Sequence, residues 1–380
     1  MAEVIVNSNI KSIYIHFPFC ESRCHYCDFY ALGKDKTKPE DISTFEHALY
    51  LELLKATQNN LISHSLDTLF FGGGTPSMTS PQSMEKILAP LWTHSSLHNE
   101  TEWTIEVNPS SVNKDKMVEY KKLGVNRVSM GVQSLDNGLL KTLGRVHSQN
   151  QALTSLESVF ASGISNVSVD LLCGVPNQTL ADLDNSLKQL TSFPITHLSC
   201  YLLTLSKHHK MFPQLPNEDE QLKHLLFIHD WLEQNGFEHY EISNFAKRGF
   251  QAKHNLRYWN RNSYLGFGPS AHSYLDSTQS RWKNISSLKQ YTSKLYNDQS
   301  VIEWKETLNE LEQNTEKWML SFRLAEGFPK SWIQSKDKLN KLNQFIESKY
   351  IEPHPIKENH LKLTPTGFSI CDQIVVDLMS

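Results

Sequence analysis

A chain of 380 residues, 39% hydrophobic and 21% charged, has room for one large globular domain and a smaller one. A net charge of −4 gives no basic footprint and argues against nucleic acid as a partner, while six cysteines, three of them crowded together, point to metal ligation in a reducing compartment rather than to disulfides. No apolar run approaches the ~18 residues of a spanning helix, and the first residues lack the basic start and apolar core of a signal peptide, so a cytoplasmic protein is expected, with peripheral membrane contact open to it.

In chain order, short β-like runs at 12–17, 67–71, 104–107, 127–130, 166–171 and 197–203 alternate with helical patterns at 45–55, 81–91, 114–123, 150–162 and 180–190. Such alternation predicts an α/β fold of βα units on a parallel sheet, here a partial (β/α)6 barrel with its functional groups at the C-terminal ends of the strands. The motifs sit at those ends. The crowded cysteines follow the first run, Gly72-Gly73-Gly74-Thr75-Pro76 follows the second, Glu106 ends the third, Gln133 follows the fourth and Asp170 ends the fifth.

After Leu205 the pattern changes to a polar, proline-punctuated loop, a helix at 219–235 and a compact aromatic stretch at 237–274. Helices at 305–324 and 332–349, a hairpin arm at 361–363 and a last helix at 367–378 predict a helix-rich, winged-helix-like C-terminal domain. The expected division is a barrel over 1–210, a connecting segment over 211–300 and the helix-rich domain over 301–380.

Cys20-Glu-Ser-Arg-Cys24-His-Tyr26-Cys27 is a C-x₃-C-x₂-C run. Three thiolates hold three corners of a [4Fe–4S] cluster and leave one iron open to a small molecule; a zinc knot is the plainer alternative. The glycines of Gly72–Gly74 allow close backbone approach to a ligand, or make a tight turn. His254-Asn255-Leu-Arg-Tyr258-Trp259 sets an imidazole beside two aromatic rings, suited to haem iron or to a packed core. Gly266-Phe-Gly-Pro reads either as close backbone approach or as turn chemistry. Cys173, Cys200 and Cys371 read as buried thiols, and His208–His209 as solvated loop.

The cysteine run, Tyr26 before its last cysteine and the GGGTP turn together resemble the radical S-adenosylmethionine superfamily over about residues 10–205. Within it the chain resembles the coproporphyrinogen III dehydrogenase group and its HemW-like haem-chaperone relatives. That resemblance implies a [4Fe–4S] cluster on Cys20, Cys24 and Cys27. It also implies S-adenosylmethionine bound by Tyr14, Tyr26, Gly73, Gly74, Thr75, Glu106, Gln133, Arg145 and Asp170. Glu106 and Asp170 would accept from its amino group or ribose, Arg145 would pair with its carboxylate, and Tyr14 and Tyr26 would pack on the adenosine or the cluster. The implied chemistry is one-electron cleavage of the sulfonium to a 5′-deoxyadenosyl radical, with flavodoxin or ferredoxin as electron donor.

Two departures separate this chain from the dehydrogenases: Phe29 stands where they carry a fourth cysteine, and only 19 residues precede Cys20. The H-N-x-x-Y-W sequence matches the haem-binding motif of the HemW-like group. The resemblance therefore implies haem on His254, Asn255, Tyr258 and Trp259, and respiratory haemoproteins as recipients. The alternatives are an oxygen-independent coproporphyrinogen III dehydrogenase and a radical methyltransferase. Whether S-adenosylmethionine is consumed, and the chain is thus an enzyme, stays open at this point.

Overall fold

The computed structural model describes residues 10–379. They form two compact units. One contains residues 10–169, Leu190–Ile195 and Asn262–Thr307, and the other Asp170–Gln189, Thr196–Arg261 and 308–379.

The first unit is built on parallel strands. β1 (Ser12–Phe17) leads through two-residue pieces β2 (Phe19–Cys20) and β3 (Leu32–Gly33) to α1 (Pro39–Gln58) and β4 (Ser65–Gly73). Then come α2 (Pro81–His94), β5 (Ser96–Val107), α3 (Lys114–Leu123), β6 (Arg127–Gln133), α4 (Asn137–Thr142), α5 (Gln149–Ala161) and the start of β7 (Asn166–Cys173). β1 and most of β4 are buried on both faces, as a helix-covered parallel sheet requires. Local signals set the helix ends. Ser80 accepts from the Ser83 amide with Pro81 at the first helical position, Ser148 and Gln151 form a capping box, and Gly124 ends α3 at φ +117°.

The register fixes which side chains share a face. Tyr14 lies beside Phe70, His16 beside Gly72, and Glu106 beside Ser129. Strand alternation then puts Tyr14, His16, Glu106 and Ser129 on one side of the sheet.

The second unit takes the end of β7, then α6 (Leu180–Thr191, through Gln189), β8 (His197–Leu202), α7 (Glu218–Gln234), β9 (Glu238–Glu241), β10 (Asn244–Ala246) and α8 (Lys253–Trp259). The chain returns to the first unit with β11 (Leu265–Phe267), which pairs parallel to β1, a strand outside the six read from the sequence. β12 (His272–Leu275), β13 (Ser280–Asn284), α9 (Leu288–Tyr296) and β14 (Ile302–Thr307) follow, the three strands making an antiparallel sheet.

The helix expected over 305–324 is therefore corrected. Ile302–Thr307 is a strand paired with β13, and helix α10 runs only over Glu310–Ser321, started by a capping box between Asn309 and Glu312. The rest of the second unit matches the helix–wing–helix expectation. It has β15 (Phe328–Pro329), α11 (Lys336–Glu347), a hairpin of β16 (Ile351–Pro353) and β17 (His360–Leu363), then α12 (Pro365–Ser369) and α13 (Cys371–Met379). Phe322, Phe328, Leu342, Ile351, Leu363 and Ile374 form its core.

Candidate functional site

The cysteine loop is anchored by the protein itself. Phe19 and Cys20 pair with Leu32 and Gly33, so the loop starts and ends at one place. In its middle the His25 amide donates to the Leu143 carbonyl (3.1 Å), and the His25 ring lies 3.2 Å from the Thr142 carbonyl at the end of α4. The Cys27 amide turns back to the Cys24 carbonyl (3.3 Å), and the Thr75 hydroxyl donates to the Cys20 sulfur (3.5 Å). Burial pushes the Cys20 and Cys27 thiols above their usual range, and the Cys24 charge pushes them further. The thiols are thus near enough to affect one another's ionisation. Among the described residues no three His, Cys, Asp or Glu side chains are already closed round one point.

Arg145 supplies the positive charge. Its guanidinium donates to the Cys24 sulfur (3.3 Å) and to the Gly131 carbonyl. Burial works against its charge, and Cys24 and Tyr26 outweigh burial and hold its pKa above the ordinary value. Burial likewise raises the Tyr26 phenol. The Arg145 Nε is buried with no hydrogen-bond partner, and among the described residues no carboxylate pairs with this side chain. A buried donor of this kind suits an anionic group of a ligand.

Gly73, at φ +102°, donates its amide to the Glu106 carboxylate (3.1 Å). A Cβ on Gly74 would fall 2.6 Å from the Phe19 carbonyl and 2.7 Å from the Phe17 carbonyl, so only glycine lets this turn lie against the start of the cysteine loop. Tyr14 stacks on Phe70, and burial followed by the Glu106 charge raises its phenol well above the usual range. Gln133 sits at φ +69°, an uncommon conformation for a side-chain-bearing residue.

The first unit thus brings together Cys20, Cys24, Cys27, Tyr14, Tyr26, Gly73, Gly74, Thr75, Glu106, Gln133 and Arg145. Three loop thiols beside the Arg145 guanidinium, a glycine cradle and an orphaned buried donor fit a thiolate-held cluster with an amino-acid ligand. Asp170 is half-buried and belongs to the second unit.

His254 also belongs to the second unit, on the seven-residue helix α8. It is 1% exposed, with its Nε2 2.7 Å from the Tyr258 hydroxyl one turn later and the two rings near perpendicular. Asn255, Tyr258 and Trp259 are half-buried. The helix is fixed at its start, because the Ala252 amide donates to the Tyr240 hydroxyl (3.2 Å), which is also 2.8 Å from His197 Nε2. A histidine with a tyrosine ring against it is a donor set that fits a metallated macrocycle.

Residues 14–190 match the sequence model of the Radical SAM superfamily. The chain is 33% identical over 338 residues to the heme chaperone HemW of Bacillus subtilis, covering 86% of this chain and 87% of that one. This chain belongs to the HemW family of radical SAM proteins. Identity to the HemW of Lactococcus lactis is 30% over 378 residues, 96% of each chain, and to that of Escherichia coli 32% over 327 residues, 84% of each. Among solved structures, coproporphyrinogen III oxidase (HemN) from Escherichia coli shares the fold, with a TM-score of 0.81 over 98% of this chain and 91% of the other at 19% identity.

Two residues of this HemW-family chain escaped the sequence reading. His16 accepts from or donates to the Tyr14 hydroxyl through Nδ1 (3.0 Å), and its Nε2 reaches the Tyr30 carbonyl (2.8 Å) at the end of the cysteine loop. Burial lowers its pKa to about 4, so it is neutral. With a neutral ring, Nε2–H donates to Tyr30 and Nδ1 accepts from Tyr14. The signal was available, since His16 follows Tyr14 by two on one strand. Glu52 was not recoverable: its carboxylate accepts from the Gly268 amide (2.8 Å), Asn284 (2.7 Å) and the Tyr291 hydroxyl (2.6 Å), all distant in sequence. It clamps the Gly266-Phe-Gly-Pro turn, where a Gly268 Cβ would fall 2.5 Å from the His16 carbonyl.

Proposed function

We propose that this chain is a haem carrier. It takes haem on His254 and passes it to haemoproteins, with S-adenosylmethionine held at a [4Fe–4S] cluster on Cys20, Cys24 and Cys27. The observation carrying this is the histidine of the H-N-x-x-Y-W helix, in a chain whose cysteine run is followed by an exposed Phe29 rather than a fourth cysteine. The printed names of its relatives support the same reading.

When bound, the cluster supplies the single electron that cleaves a sulfonium carbon–sulfur bond. This chain's residues do the positioning. Thr75 donates to Cys20, and Arg145 offsets thiolate charge and presents its Nε to a carboxylate. Glu106 receives an ammonium or a ribose hydroxyl beside the Gly73 amide, and Tyr14 and Tyr26 pack on the adenosine. The carrier role places the protein in the cytoplasm with access to a membrane surface, served by a flavodoxin or ferredoxin and delivering to respiratory haemoproteins. No helix among the described residues is long and apolar enough to cross a membrane.

The test is a haem titration of anaerobically reconstituted protein and of His254→Ala. A Soret shift saturating at one haem per chain, lost in His254→Ala, is expected. Haem binding indifferent to His254 overturns the assignment.

A further inference from the structure

We infer that Tyr258 is the resident occupant of the iron-binding position of His254, so that haem enters only after the Tyr258 phenol has been displaced. This rests on the haem reading of the same helix.

Nε2 is the imidazole nitrogen farthest from the backbone, and hence the one an approaching iron can reach. It stands 2.7 Å from the Tyr258 hydroxyl. Whichever group donates, the Nε2 site is taken: a Tyr258 O–H uses its lone pair, and an Nε2–H leaves none to offer. Burial adds a second barrier, because His254 is 1% exposed while Tyr258 is half-buried, which makes the tyrosine the part of the pair that faces outward. The rings meet edge to face at 5.0 Å, so a flat macrocycle lying across Nε2 occupies the volume of the phenol.

Both residues of the pair sit on helix α8. Its start is tied, through the Ala252 amide, to Tyr240 and His197. Its C-terminal turn holds Tyr258 and ends at Asn260. The i, i+4 spacing of histidine and tyrosine then sets selectivity. A ligand must repay the lost hydrogen bond with a metal–nitrogen bond, so a metal-free porphyrin of the same shape gains nothing from opening the pair.

The experiment compares wild type, Tyr258→Phe and His254→Ala by titration with ferrous CO-haem and by stopped-flow association, with circular dichroism to confirm folding. Loss of one net hydrogen bond predicts haem binding tighter by roughly 2- to 10-fold in Tyr258→Phe. The wild-type association rate should level off at high haem, at the rate of opening, and the plateau should rise in the variant. Unchanged or weaker binding in folded Tyr258→Phe, with His254→Ala still abolishing it, overturns the inference and leaves the haem ligand standing. Wild-type binding by His254→Ala overturns the haem assignment and the inference with it.

Discussion

Glu241 carries a cost that one substitution removes. It is fully buried at the end of β9, its Oε1 has no hydrogen-bond partner, and its other oxygen receives a long bond from the Ser243 amide (3.4 Å). Burial raises its pKa from 4.5 to about 7, against smaller opposing contributions from hydrogen bonds with the Asn244 side chain and the Ser243 amide. The folded chain therefore keeps this proton up to about pH 7, while the unfolded chain releases it near pH 4.5. Stability supplied by the neutral carboxyl is present below the lower value, declines as pH rises through the window, and is gone above the upper one. At 1.36 kcal/mol per pH unit, the loss across the window is about 3 kcal/mol.

Glu241→Gln keeps the shape and never ionises. It should match wild type at about pH 4.5 and exceed it by about 3 kcal/mol near pH 8. Urea unfolding across that range, followed by tryptophan fluorescence, reads the difference between the two proteins. Other titrating groups cancel in it, among them His239, which burial lowers to about 3. A difference that does not change with pH would refute the reasoning.

Gly74→Ala should force the turn off the Phe17 and Phe19 carbonyls, cost about 1–3 kcal/mol and lower the melting temperature together with S-adenosylmethionine binding in equilibrium dialysis. In His16→Phe, the Tyr30 carbonyl and Tyr14 hydroxyl lose their shared partner, so iron retained after reconstitution should fall while haem titration stays unchanged. Retention at the wild-type level would remove His16 from the site. Cys24→Ser should lose most of its iron and sulfide but still bind haem; full iron retention would count against the three-thiolate cluster.

Much of the first unit was legible because its signals are local. Apolar runs with helical patterns between them gave the parallel strands, and glycine, serine and proline marked the turns. The cysteine loop, Gly73–Gly74 and Glu106 stood out because chemistry-bearing residues recur just past strand ends, whereas Arg145 was singled out by the family resemblance alone. What escaped was fixed by contacts remote in sequence. β11 pairs with β1 from about 250 residues further along the chain, a choice made by packing rather than propensity. β14 looked helical because Lys305-Glu306 continues into a true helix, yet Trp304 and Thr307 suit the strand that β13 templates. The Tyr258 hydroxyl on His254 was half legible: the i, i+4 spacing put the two rings on one face, and the bond itself shows only in the folded structure.

The measurement that bears most directly on the carrier role is a side-by-side assay of one anaerobically reconstituted sample. Half receives coproporphyrinogen III with S-adenosylmethionine and a reductant; half receives haem and then an apo-haemoprotein. The account predicts no vinyl product in the first half, and in the second, haem loaded at one per chain and then moved to the acceptor. Steady conversion of propionates to vinyl groups, with no transferable haem, would contradict it and make the chain a dehydrogenase.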